Sequence, residues 1–232
     1  MNAMIDSRLL ADIELFRALD EQARGYLRAA AEVVTFPPRT VLFHQGDPPT
    51  ACYALQAGRV KLYRESRSKC QILALPMPGD CFGAEAYPSG TTQPYTAATL
   101  TTATCIRLDI ATLSRLLEES PDFQEAFLRH ITRRLRQFVT LVHDLAFRDV
   151  SSRVAMVLVQ RAAQEGQPTA GGVSFERLLT QQELAAMVGT AREMVYRTFK
   201  RFEAEGLIEV TPRRITILDM DTLSAIAAQE AR

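Results

Sequence analysis

Thr180-Gln181-Gln182-Glu183-Leu184-Ala185-Ala186-Met187-Val188-Gly189-Thr190-Ala191-Arg192-Glu193-Met194-Val195-Tyr196-Arg197 is the stretch that decides the fold. Its spacing predicts two short helices joined by a tight turn. Thr180 suits the N-cap of the first helix, and Glu183 three residues on completes a capping box. Leu184 and Val188 face inward. Ala185 is small where two helices cross closely, and Gly189 supplies the left-handed conformation that the turn demands. The second helix begins near Thr190 or Ala191, with Val195 turned into the core. Arg192, Glu193, Tyr196 and Arg197 then lie on its outer side near the N-terminal end. Such side chains reach base edges in a major groove: Arg binds guanine O6/N7 with two hydrogen bonds, and Glu accepts from cytosine N4.

Downstream, Gly206-Leu207-Ile208-Glu209-Val210 and Arg214-Ile215-Thr216-Ile217-Leu218 read as two strands around Thr211-Pro212-Arg213, a hairpin wing. Between Thr190 and Thr216 the cations Arg192, Arg197, Lys200, Arg201, Arg213 and Arg214 outnumber Glu193, Glu203, Glu205 and Glu209. That local excess suits phosphate contacts. Thr180, Gln182, Thr190, Lys200 and Arg213 are assigned to the DNA backbone. A plain amphipathic hairpin with solvated charges is the competing reading. The small residue, the turn glycine, the inward valine and the wing together favour the reading head. Upstream, Ser151 to Ala163 is an apolar-periodic helix and Gln164 to Gly172 reads as a glycine-containing loop.

Before this region Ser120-Pro121-Asp122 marks a helix start, with Pro and an acid in the first turn. Phe127, Ile131, Leu135, Phe138, Val142 and Leu145 follow at spacings of three and four over more than five turns. Arg129, Arg133, Arg134 and Arg136 form a wet basic flank. A narrow apolar seam on so long a helix predicts pairing with a second copy of itself, an ordinary core helix being the alternative.

From about Val33 to Leu108 the chain reads as short strands broken by Gly46-Asp47-Pro48-Pro49, Ala57-Gly58 and Pro76-Met77-Pro78-Gly79-Asp80, which predicts an antiparallel sandwich, roll or barrel. A helical stretch from Leu9 to Glu32 precedes it. The expected organisation is therefore 1-120, a β domain; 121-148, a pairing helix and hinge; 149-232, a winged helix-turn-helix.

The 232 residues are 47% hydrophobic and 23% charged, with Lys+Arg 27 against Asp+Glu 27. That balance argues against a disordered tail or a generally basic nucleic-acid coat. No apolar run approaches the roughly 18 residues of a membrane span. Met1 to Ala18 carries Asp6, Arg8, Asp12, Glu14 and Arg17, so no signal-peptide stretch is expected and a cytoplasmic protein is. Cys52, Cys70, Cys81 and Cys105 are scattered, without metal-ligand spacing, and fall in strand-like segments, where a free cysteine acts as a small apolar residue. His44, His130 and His143 are far apart. There is no Gly-x-Ser-x-Gly, no phosphate-cradling loop and no paired carboxylate motif, so no enzyme is expected.

The order β-roll, long helix, winged helix-turn-helix resembles the cyclic-AMP receptor protein/fumarate-nitrate regulator (CRP/FNR) family of bacterial transcription regulators over nearly the whole chain. Gly46, Gly58, Gly79-Asp80-Cys81-Phe82-Gly83, Arg133-Arg134-Leu135, Leu145 to Val150 and the reading-head segment carry the resemblance. It implies an α+β fold with a cyclic-nucleotide-binding-like antiparallel roll. It also implies a homodimer on a two-fold promoter site with TGTGA-like half-sites one helical turn apart, and RNA polymerase as partner. By similarity Arg192, Glu193 and Arg197 are the base readers. Ala191 and Met194 replace hydroxyl side chains common in the family, and Tyr196 replaces a small one. The resemblance places a degenerate effector pocket at Phe82, Gly83, Glu85, Tyr95, Thr96 and Phe138. Here Gly83-Ala84 precedes a Glu85 displaced by one, Tyr95-Thr96 stands for the Arg pair that holds the cyclic phosphate, and Phe138-Val139 for hydroxyls. Without the guanidinium the phosphate loses about 1.5–3 kcal/mol per charge-assisted bond. Cyclic AMP is therefore not expected as effector, and no cofactor or metal is expected. A haem- or thiol-based sensor with DNA binding as output is the alternative.

Overall fold

The computed structural model describes Leu10 and residues 12–67, 69–87 and 90–230. Asp6, Arg8 and Leu9, on which part of the N-terminal reading rested, lie outside the described residues. Two helices open the described chain, α1 (Glu14–Arg17) and α2 (Glu21–Ala30). Asp20 starts α2 by accepting from the Ala23 N–H at 2.7 Å.

The expected strands follow as β1 (Glu32–Phe36), β2 (Val41–Phe43), β3 (Ala51–Ala57), β4 (Val60–Ser66), β5 (Lys69–Ala74), β6 (Cys81–Phe82), β7 (Thr96–Thr99) and β8 (Ala103–Asp109). They form two sheets, ordered β1-β8-β3-β6 and β2-β7-β4-β5. Because successive side chains alternate between faces, β3 serves two cores. Cys52 and Ala54 join Cys81, Ile106 and Leu108 against the helices, whereas Tyr53 and Leu55 join Phe82, Tyr95 and Cys105 inside the roll. Gly58 turns β3 into β4 at φ 86, where a Cβ would meet the Thr102 carbonyl oxygen at 2.1 Å. No other residue fits there.

Helix α3 (Ile110–Glu119) leads into α4 (Pro121–Phe147), whose 27 residues span about 40 Å at 1.5 Å each. Pro121 stands first in the helix, and the Ser120 hydroxyl accepts from the Phe123 N–H at 3.3 Å. The expected seam needs correction. Phe127 is buried in the cluster formed with α1–α3, and Ile131 packs against that cluster. Leu145 is half-buried, its Cδ2 only 2.4 Å from the position a Cβ on Gly189 would take. Leu135 and Val142 of the expected seam are exposed, and with Leu128 and Val139 they form the exposed apolar stripe. Residues 128, 135 and 142 repeat at seven, with 139 four beyond 135, which is a coiled-coil pattern. Phe127, Ile131 and Leu128 are equally apolar, and only packing tells which of them face the protein's own core.

The remaining elements are α5 (Val150–Glu165), β9 (Gln167–Thr169), β10 (Gly172–Glu176), α6 (Gln181–Val188), α7 (Arg192–Ala204), β11 (Ile208–Val210), β12 (Arg214–Ile217) and α8 (Met220–Ala227). The segment expected as a loop, Gln164 to Gly172, contains a strand and opens a second hairpin, completing a sheet ordered β11-β12-β10-β9. Its edge strand is fully exposed and carries Pro168, so it shows no apolar alternation. Backbone contacts divide the chain into two compact units: residues up to 64 with 73–137, and 65–72 with those from 138 onward. Among the described residues no helix is long and apolar enough to cross a membrane.

Candidate nucleic-acid interface

The reading head is built by local chemistry first. Thr180 Oγ1 accepts from the Glu183 N–H at 3.1 Å while the Glu183 carboxylate accepts from the Thr180 N–H at 3.0 Å, so the capping box is complete. Gly189 ends α6 in the left-handed conformation, φ 68 and ψ 44. Arg153 Nε donates to the Val188 carbonyl at 2.7 Å and pins the turn to α5. Ala185, Val188 and Val195 are buried between the helices.

Val195, Thr198, Phe199 and Phe202 form the buried side of α7. Helical geometry therefore turns Arg192, Glu193, Tyr196, Arg197 and Lys200 outward, and all five are exposed. Arg197 Nη2 donates to Glu193 Oε1 at 2.5 Å, and Lys200 Nζ to Glu203 at 2.8 Å. Exposed pairs one turn apart are weak because solvent screens them, so they yield readily to better partners. Arg192 and Arg213 have no side-chain hydrogen bond or ion pair among the described residues. Arg214, counted with the phosphate-seeking cations, is committed elsewhere: its Nε donates to Ser174 Oγ at 2.8 Å, which ties β12 to β10.

An open groove of about 530 Å³ gathers Thr180, Gln182 and Arg192 with Arg177, Gln181 and Pro212 of the wing. Its floor is the first turn of α6, whose N–H groups and dipole favour an anion. Arg177 was not singled out from the sequence. The signal was a cation three residues ahead of the N-cap; the tertiary contact that matters is the Arg177 N–H donating to the Arg213 carbonyl at 2.9 Å. Thr190 is half-buried, and Gln182, Lys200 and Arg213 are exposed.

The roll carries a second polar constellation. Tyr95, 1% exposed, donates its hydroxyl to Glu85 Oε2 at 2.6 Å, and the Gly83 N–H donates to both at 3.0 and 2.8 Å. Gln93 Nε2 donates to the Gly83 carbonyl at 3.0 Å. Arg134, buried on α4, donates from Nη2 to the Cys81 carbonyl at 2.9 Å, and its Nε stands 3.7 Å from Glu85 Oε1. Burial, then the Glu85 charge, pushes the Tyr95 phenol well above its ordinary range and keeps it a donor. Thr96 Oγ1 accepts from the Gln45 N–H at 3.0 Å. Phe82 is fully buried, stacked 5.6 Å from Tyr53. Phe138 is half-buried and falls in the other compact unit, and Phe43 packs inside the roll 5.8 Å from Tyr95.

Cys52, Cys81 and Cys105 are buried, and Cys70 is half-buried. Burial pushes the Cys52 and Cys105 thiols up to about 12 and Cys81 well above its ordinary value. No group of three or more His, Cys, Asp or Glu side chains suited to a metal occurs among the described residues.

A roll of the cyclic-nucleotide-binding kind and a winged helix-turn-helix on one chain define a DNA-binding transcription regulator. The cyclic nucleotide-binding domain matches residues 33–120 and the Crp-like helix-turn-helix domain matches residues 152–226. The chain belongs to the CRP/FNR family. The CRP-like cAMP-activated global transcriptional regulator of Mycobacterium tuberculosis is 29% identical over 217 residues, 93% of this chain and 97% of the relative. The global nitrogen regulator of a Nostoc species is 28% identical over 195 residues, covering 83% and 87%. Among solved structures, a mutant of CooA from Carboxydothermus hydrogenoformans superposes with TM-score 0.76 at 23% identity, covering 97% of this chain and 98% of the other. FixK2 from Bradyrhizobium japonicum gives 0.76 at 18% identity, covering 87% and 99%. These two likenesses concern the fold.

Proposed function

We propose that the protein acts as a homodimer on a two-fold promoter site with TGTGA-like half-sites, and that it does so without a cyclic nucleotide or a cofactor. Arg192, Glu193, Tyr196 and Arg197 read bases, while Thr180, Gln182, Thr190, Lys200 and Arg213 hold the backbone. RNA polymerase is the partner to which binding is relayed, in the cytoplasm, and the chain performs no catalysis. The observation that carries the reading is the outward row on α7, with Arg192 unbridged at the mouth of the groove formed with α6 and the wing. The exposed stripe Leu128, Leu135, Val139 and Val142 supports the dimer. Two reading heads related by a two-fold axis then fit half-sites about 34–36 Å apart.

Independence from cyclic AMP rests on the Tyr95–Glu85 pair and on the aromatic filling of the roll. The mycobacterial relative is cAMP-activated by its name; this chain lacks the arginine that the resemblance assigns to the phosphate. A thiol sensor is disfavoured by three cysteines held as neutral thiols.

The test is selection of bound DNA from a random pool with the wild type, Arg192→Ala and Glu193→Ala. The wild type should enrich a two-fold sequence, and each variant should relax one position per half-site, at about 1–3 kcal/mol per lost bidentate contact. Selected sequences indifferent to both substitutions would refute the assignment. Calorimetric titration with cyclic AMP should give no saturable heat, and a Soret band in the purified protein would favour the haem reading.

A further inference from the structure

Tyr196 is unusual on the outward face of α7. The inward side is set by Val195, Thr198, Phe199 and Phe202. At about 100° per residue, Tyr196 projects roughly 60° from Glu193 and 40° from Lys200, well inside the outward arc. It is 49% exposed and is not part of the apolar cluster beneath the helix. Arg192 lies one turn before it and Lys200 one turn after. Its neighbours Arg192, Glu193, Arg197 and Lys200 are charged; Met194, 40% exposed, lies at the edge of the arc, and Tyr196 is its aromatic member, half of it left uncovered by its own chain.

Base edges in a major groove offer hydrogen-bond donors and acceptors at all positions save one, the 5-methyl group of thymine. The faces of paired bases are closed to an aromatic ring, because they are stacked in the duplex. A phenol ring in that groove therefore has one apolar partner. We propose that Tyr196 is a specificity-determining residue that selects thymine through its methyl group at one position in each half-site. The proposal rests on the DNA-reading assignment above and deepens it. Four residues of helix rise about 6 Å, against 3.4 Å between bases along a strand. The thymine accordingly lies one to two base steps from the base read by Arg192.

The test uses the full-length protein and the two-fold site it selects. Each half-site thymine is replaced in turn by deoxyuridine, which removes only the methyl group, and Kd is measured for the wild type, Tyr196→Phe and Tyr196→Ala. One thymine should be sensitive in the wild type, weakening binding about fourfold per half-site, the value of one methyl group removed from water. Tyr196→Phe should keep that sensitivity, because the ring makes the contact, and Tyr196→Ala should abolish it. Thermal melting of both variants should match the wild type, since the side chain is outside the core. A specific site in which no thymine responds to demethylation would overturn the Tyr196 assignment alone. So would equal sensitivity in Tyr196→Ala, or a uniform loss on every sequence in Tyr196→Phe, which would mark a backbone contact through the hydroxyl. Failure of the wild type to select any two-fold sequence would remove the underlying reading instead.

Discussion

Leu135→Glu is the sharpest perturbation of the proposed dimer. Leu135 is 61% exposed on a stripe with Leu128, Val139 and Val142 at 65%, 61% and 66%. Full burial of a leucine side chain is worth about 1.5–3 kcal/mol, so with six-tenths of it still open Leu135 gains about 1–2 kcal/mol on pairing. A two-fold interface removes it from both copies, about 2–4 kcal/mol in total. At tenfold per 1.4 kcal/mol, dimer dissociation should strengthen by about 30- to 700-fold, before any repulsion between the two carboxylates. The fold of each chain should be unaffected, because Leu135 belongs to none of the core clusters. Sedimentation equilibrium across a concentration series reads the shift directly. Binding to a full site should fall much more steeply than binding to a single half-site. Arg136→Glu, one residue along and off the stripe, is the control and should leave association within a few-fold of wild type. A Leu135→Glu variant that associates as tightly as the wild type, or a wild type that stays monomeric at micromolar concentration, would refute the reasoning.

Gly189→Ala should destabilise the reading head by about 1–3 kcal/mol, because φ 68 is costly for a residue with a Cβ and that atom would meet Leu145 Cδ2 at 2.4 Å; a melting transition equal to wild type would contradict this. His130 is lowered to about 4 by burial, with Arg134 and Arg133 adding to it, so the folded state holds it neutral. The unfolded chain takes up that proton near pH 6.5 or so, hence its contribution is fully present above about pH 6.5 and lost as pH falls toward 4, by about 3 kcal/mol. Denaturant titrations of the wild type and His130→Gln across that window check it, the variant showing the flatter profile. Iodoacetamide at neutral pH should spare Cys52, Cys81 and Cys105 in the native protein and reach Cys70 first; peptide mapping that shows the buried three modified as fast as in denaturant would reverse the assignment of inert thiols.

The parts of the molecule legible from sequence are those whose chemistry closes within a few residues. Thr180 and Glu183 satisfy each other across one turn, and Gly189 reports its own backbone conformation. Val195 stands seven residues beyond Val188, a spacing one continuous helix would also give, and Gly189 is what marks the break between two helices. The hairpin opened by β9 escaped because its exposed strand is specified by pairing with β10 rather than by its own pattern. In the roll, Tyr95 and Glu85 were legible as departures from a family pattern, but their hydrogen bond to each other was not, since ten residues of chain separate them.

The amino-acid order alone determined the architecture of this protein and the outward row on α7, because helical period, caps and turn glycines act over distances the chain itself measures. Only the tertiary structure decided which stripe of α4 is free, which cations of the reading head are already engaged, and which aromatic fills the roll. Phe127 and Leu128 are neighbours of equal apolar character; one is buried and the other 65% exposed because the helices packed on α4 cover a single side of it. Periodicity marks an apolar face, whereas its partner is chosen by packing among segments distant in sequence.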